Sequence, residues 1–220
     1  MRVGVAIPCY KNHIRHLSNL LQTLDQQTYK PDEVVVSCSS CRPEDLPIFS
    51  VSFPLRILTT EQHQNCATNR NKAASALTTD CILFFDADDE MHPQRLEVLR
   101  NIFLQTQCDI ALHTFWIQEE TKQPFSSIAK PNVEVNVLRR SPTGCAVVDG
   151  RYHLRIAHGH VSVSAFAFRR IQFKEDPGNE RRDDAIFCGD VLSMPGVQSA
   201  YIHDSLSKYY PSGTGGISDL

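Results

Sequence analysis

The stretch Cys81-Ile-Leu-Phe-Phe-Asp-Ala-Asp-Asp-Glu90 decides how the rest of the chain is read. Its unbroken apolar run, with Asp80 before it and acid after it, predicts a short strand buried on both faces of a parallel sheet. The chain then leaves the core and immediately presents Asp86, Asp88, Asp89 and Glu90. Carboxylates this close repel one another unless they bind a cation, accept hydrogen bonds or point into water. The pattern predicts that two of them face a metal and a nucleotide.

Working backwards, residues 3–7 form a first buried strand, and Pro8 ends its hydrogen bonding so that Cys9, Tyr10 and Lys11 form a loop. Asn12 is placed to cap a helix whose Ile14, Leu17, Leu21 and Leu24 make one apolar stripe. The β-branched run at 33–37 predicts a second strand, 53–58 a third, and 65–77 an alanine-rich helix able to pack closely on a sheet. Beyond the acidic cluster, Pro93 fits the first turn of a helix carrying Leu96, Leu99 and Phe103, and 110–117 returns as a fifth strand. This alternation predicts an α/β fold, a Rossmann-like, doubly wound and mainly parallel sheet with helices on both faces. In such a sheet ligands gather outside the carboxyl ends of the strands, where Tyr10, Ser37 and Asp86 emerge.

The second half is less periodic. Residues 120–158 predict a hairpin or loops over the sheet, 161–168 a strand, 183–194 a helix, 200–203 a short last strand and 211–220 a flexible tail. One domain over 1–210 is expected, with a nucleotide-binding half at about 1–118 and an acceptor-side half at about 119–210.

Composition narrows the function classes. A chain of 220 residues with 41% hydrophobic content, 10 Gly and 12 Pro suits a single compact domain. Its 22 basic and 25 acidic residues give a net charge of -3, so nucleic acid and anionic membranes are excluded as primary partners. No apolar run approaches the roughly 20 residues of a membrane span, and a strand at the N-terminus leaves no room for a signal peptide. A cytoplasmic protein with reduced cysteines is therefore expected. Cys9, Cys81, Cys108 and Cys188 lie in or beside apolar stretches as small hydrophobes, and Cys38-x-x-Cys41 has no second pair to complete a zinc site.

Four segments in order carry a resemblance: Val5-Ala-Ile-Pro-Cys-Tyr10, Ala67-Thr-Asn-Arg-Asn71, Phe84-Phe-Asp-Ala-Asp-Asp89 and Arg182-Asp-Asp-Ala-Ile186. Together they resemble a nucleotide-sugar-dependent glycosyltransferase of the inverting, family-2 type with the GT-A fold, over roughly residues 3–190. Phosphatases of the haloacid-dehalogenase type and response-regulator receivers also place acids at strand ends, but on their first strand, and this chain puts five expected elements before the strand that carries its Asp-x-Asp.

The resemblance implies a metal-assisted transfer from a nucleotide-diphosphate sugar to a hydroxyl acceptor such as a glycan. Pro8 and Tyr10 would shape the base and ribose pocket. Where the family has an acid after the second strand, this chain has Ser37-Cys-Ser-Ser40, which leaves the base open and makes Ser37 or Ser39 a single hydrogen-bonding group. Arg70 would hold the pyrophosphate or lock a carboxylate, and Asn71 would brace the same loop. Asp88 would ligate Mn²⁺ or Mg²⁺, with Asp86 on the ribose or the metal's water shell, since hard cations prefer oxygen. Asp89 would orient the loop, cap the next helix or approach the sugar. Asp184 would be the base that deprotonates the acceptor, with Asp183 as its alternate. His203 is the candidate extra metal ligand, His158, His160 and Trp116 are candidate acceptor contacts, and Lys208, Tyr209 and Tyr210 are candidate lid residues. The rival reading is a noncatalytic nucleotide- or carbohydrate-binding domain of the same fold.

Overall fold

The computed structural model describes residues 1–210 apart from 118, 119, 121, 152, 154, 157 and 177–181, so the expected tail at 211–220 lies outside the described residues. Strands β1 (Val3–Tyr10), β2 (Glu33–Ser39), β3 (Leu55–Thr60) and β4 (Cys81–Phe84) form the parallel half of the sheet in the order β3-β2-β1-β4. Beyond β4 the sheet becomes mixed. Strand β10 (Ser162–Ser164) runs antiparallel between β4 and β6 (Ile110–Ile117), and β11 (Ser199–Tyr209) is parallel to β6. The short β5 (Glu90–Met91) and β7 (Val133–Val135) both pair antiparallel with β11. A separate hairpin joins β8 (Leu138–Arg140) to β9 (Ala146–Val148), in the region expected to hold one.

Helices cover both faces, as the α/β pattern requires. Alternation along β1 sends Val3, Val5 and Ile7 to one face, where α1 (Ile14–Asp25) buries Leu17, Leu20, Leu21 and Leu24 beside α3 (Arg95–Thr106). Ala6 points to the other face, against Ala73 and Ala74 of α2 (Cys66–Ser75) and Phe187 of α5 (Asp183–Val191). Alanine here lets α2 approach the sheet closely, which brings its polar residues to the strand ends. All eight cysteines are free, and among the described residues no helix is long and apolar enough to cross a membrane.

Local chemistry moves several expected boundaries. Asn12 does not cap α1, because a 3-10 turn over Lys11–His13 precedes the helix and His13 takes the capping position without a side-chain bond. Pro93 lies just before α3 rather than in its first turn. The strand expected over 161–168 is divided: the Ser164 hydroxyl accepts from the Ala167 N–H at 3.1 Å, ending β10 and starting the short helix α4 (Ala165–Phe168). The last strand does not stop at His203 but continues to Tyr209, with register shifts on either side of Ser205.

Candidate active site

The carboxyl ends of β1 and β4, the N-terminal turn of α2 and the end of β11 surround a cavity of about 390 Å³, lined among others by Pro8, Tyr10, Asn69, Asp86, Asp88 and Tyr209. A second cavity of about 220 Å³ adjoins it, lined by Phe115, Gly159 and Asp184 and sharing Asp86 and Tyr209 with the first. The cleft is thus divided into two compartments that meet at the first aspartate of the strand-end cluster.

Arg70 organises this meeting point. Asn65 caps α2 by accepting from the Thr68 N–H at 2.8 Å, which fixes the helix start so that Asn69, Arg70 and Asn71 all turn inward. Arg70 Nη2 donates to both oxygens of Asp86 at 2.9 and 3.1 Å, and Nη1 donates to Asp183 at 2.8 Å. Burial works against the guanidinium's charge, but Asp86, Asp183 and Asp184 outweigh it and hold its pKa well above the ordinary value. Burial pushes the pKa of Asp183 up, against the opposing field of Arg70. Asp184, beside it in the first turn of α5, accepts from the Ala185 N–H through Oδ1 at 2.6 Å.

A second polar network reaches from the cleft wall into the core. His160 Nε2 pairs with Asp89 at 2.6 Å and Nδ1 with the Ser207 hydroxyl at 2.8 Å, while its ring stacks on Phe85. The other Asp89 oxygen accepts from the Tyr210 N–H at 3.0 Å. Arg95, fully buried, donates to the carbonyls of Phe84 and His160 and to His113. Burial lowers its pKa to about 9. The acidic loop is therefore tied both to the turn before β10 and to the end of β11.

The donor chemistry suits a hard divalent cation: Asp86 and Asp88 line the cleft, and Asp86, Asp89 and His160 each offer a ligand atom within 4.8 Å of one another. Asp89 also lines the larger cavity, but it is tied to His160 and the Tyr210 N–H, and Asp86 is held by Arg70, so both carboxylates meet a candidate cation with protein partners already on them.

The family model for glycosyl transferase family 2 matches residues 4–173. The chain belongs to this family. An uncharacterized glycosyltransferase of Haemophilus influenzae is 31% identical over 104 residues, 47% of this chain and 35% of that protein. The uncharacterized glycosyltransferase YibD of Escherichia coli is 24% identical over 131 residues, 58% of this chain and 38% of that protein. The chain thus spans little more than a third of the length of these curated relatives. Among solved structures, S. aureus TarS 1–349 in complex with UDP is similar at a TM-score of 0.68 and 17% identity, over 96% of this chain and 61% of that one. That likeness carries the fold, the GT-A form of the α/β sheet.

Within the cleft of this family 2 chain, the residues expected from sequence separate into groups. Pro8, Tyr10, Asp86 and Asp88 line the larger compartment and Asp184 the smaller one. Arg70 and Asp183 sit beneath them as an ion pair. Asn71 braces a different segment from the one expected, at Phe173 rather than in the acidic loop that Arg70 holds: its amide donates to the Phe173 carbonyl at 2.9 Å and accepts from the Phe173 N–H at 3.0 Å.

Other expectations are corrected. Ser37 and Ser39 are buried with their hydroxyls bonded to Asn69, so Asn69 is the group on the cleft wall and the serines stand behind it. His203 does not join the acidic cluster. Because β11 runs on to Tyr209, His203 is left upstream, 2.5 Å from Glu134 of β7, and Tyr209 reaches the cleft instead. Trp116 faces the opposite way from Phe115, as alternation along β6 demands, and stacks on Phe125 beside a separate cavity. His160 lines the smaller compartment, but both its ring nitrogens are engaged, and the side chain of His158 lies outside the described residues. Asp89 braces the loop and does not cap α3. Lys208 and Tyr210 both bind Glu90, holding the end of β11 on the acidic loop.

Sequence reasoning missed His13, His63 and Asn69. The two histidines flank the Tyr10 ring edge-on at 5.9 and 5.6 Å. Asn69 carried a usable signal: it stands four residues after the capping Asn65, on the same helix face, where an asparagine competes poorly for an interior position unless its side chain has other partners.

Proposed function

We propose that this chain transfers a sugar from a nucleoside-diphosphate donor to a hydroxyl acceptor, with inversion and with the help of a divalent cation. The observation that carries the reading is the divided cleft, in which Asp86 is shared by both compartments and Asp184 stands in the smaller one. TarS 1–349 has been solved in complex with UDP and with UDP-GlcNAc, which makes uridine the first base to test.

In this reading Pro8, Tyr10 and Asn69 receive the nucleoside in the larger compartment, and the sugar projects past Asp86 toward Asp184. Asp86 and Asp88 would hold Mn²⁺ or Mg²⁺, which when bound neutralises charge developing on the leaving diphosphate. Asp184 accepts the proton of the acceptor hydroxyl as its oxygen attacks the anomeric carbon from the side opposite the departing phosphate oxygen, so the configuration inverts. Asp183 is held by Arg70 and supports the site rather than acting as the base. Arg70 also fixes the Asp86 carboxylate, the second of the two roles expected for it.

A thermal-shift screen of nucleotide sugars with and without Mn²⁺, followed by measurement of nucleoside-diphosphate release, tests the proposal. Metal-dependent stabilisation with turnover supports it. Tight binding without turnover across a broad acceptor panel would favour a noncatalytic binding domain.

A further inference from the structure

Gly159 occupies a turn whose backbone does not call for glycine. It lies in the 3-10 turn His158–His160, and only Gly144, Gly150 and Gly196 have positive φ among the described glycines. An alanine there meets no backbone strain. What the position lacks is space. A Cβ on Gly159 would stand 3.1 Å from Asp86 Oδ2, 3.8 Å from Asp184 Oδ2 and 3.9 Å from Arg70 Nη2. A single methyl would therefore enter the place where both compartments and both functional carboxylates converge.

The turn is also anchored so that it cannot easily retreat. His160, the next residue, is held through its ring by Asp89 and Ser207 and through its carbonyl by Arg95. Gly159 is thus pressed toward the cleft by a buried network, and the missing side chain leaves a gap between Asp86 and Asp184.

We propose that Gly159 is a specificity-determining residue whose bare Cα forms the contact surface for the transferred sugar ring. This rests on the glycosyl-transfer reading above, and it names the part of the donor involved: the hexose, not the nucleoside or the diphosphate. Substitution should discriminate between a nucleoside diphosphate and the same nucleotide carrying its sugar, because only the sugar must pass the turn.

The test compares Gly159→Ala and Gly159→Val with wild type, using UDP and UDP-N-acetylglucosamine as calorimetric probes in Mn²⁺, with GDP, ADP and dTDP and their sugar conjugates as further pairs. For the pair that wild type binds, the alanine variant is expected to lose about tenfold or more affinity for the sugar conjugate beyond any loss it shows for the nucleoside diphosphate, with valine worse. The backbone accepts alanine without strain, so any fall in its melting temperature measures how far Asp86, 3.1 Å from the new Cβ, has to give. Equal losses for diphosphate and conjugate would overturn the proposal by showing that the turn merely supports the whole site. Wild-type affinity for the conjugate in both variants would overturn it by showing that the sugar does not pass Gly159. If wild type binds no pair at all, the glycosyl-transfer reading fails and this inference fails with it.

Discussion

Arg70 and Asp183 are 113 residues apart in sequence and 2.8 Å apart in space. The same guanidinium grips Asp86 through its other terminal nitrogen, so one side chain of α2 joins the strand-end acids to the acids that open α5. Both partners are nearly buried in the Asp183 pair, and neither charge has water to fall back on. Arg70→Ala should therefore lower stability by about 3–5 kcal/mol, the usual cost of stranding a buried charge. Arg70→Lys should recover only part of this, because an ammonium cannot bridge two carboxylates with a planar fork. Urea denaturation of both variants measures the difference.

Asp88→Ala is expected to weaken donor binding specifically when Mn²⁺ is present, by tenfold or more, while leaving the fold intact. Titration of UDP and a nucleotide sugar with and without the metal measures this. An unchanged metal dependence would remove Asp88 from the proposed ligand set.

The buried Asp89–His160 pair predicts a graded series. His160→Ala strands the Asp89 carboxylate and the Ser207 hydroxyl together, and should destabilise the protein by about 3 kcal/mol. His160→Gln can still donate to one of them and should lose less. Chemical denaturation midpoints for the two variants give the ordering, and equal stability of the alanine variant and wild type would contradict the pairing.

Much of this site was legible in the sequence because its main parts follow short, regular elements. The apolar run into Asp86 made a strand end, the alanine-rich segment made a helix that packs closely, and the acidic pair at 183–184 opened a helix. What stayed hidden depended on distant partners. His203 reads as a strand end because His203, Asp204 and Ser205 interrupt the apolar pattern just where β11 shifts register, although the strand continues to Tyr209. The engagement of Ser37 and Ser39 by Asn69 comes from the packing of α2 on β2, which no local pattern encodes. Gly159 reads as an ordinary loop glycine until Asp86 and Asp184 are seen on either side of it.

Burial lowers the His13 pKa from 6.5 to about 4. Between these values the unfolded chain binds more protons than the folded one, so stability should fall as pH drops from 6.5 toward 4. His92 and His113 are lowered by burial too and act in the same sense. Asp89 and Asp183, raised by burial, act in the opposite sense toward the acid end, so the region around pH 6 gives the cleaner slope. Melting temperatures across that range should decline more gently for His13→Gln than for wild type.

In the proposed reaction Asp184 removes the acceptor proton from across a cleft whose other side holds the donor. This step is tested most directly by the rate of nucleoside-diphosphate release at saturating nucleotide sugar and acceptor, with Mn²⁺, for Asp184→Asn against wild type. The expected result is a loss of about 10²–10⁴-fold with donor affinity unchanged, the range seen when a general base is removed. Release at the wild-type rate would contradict it.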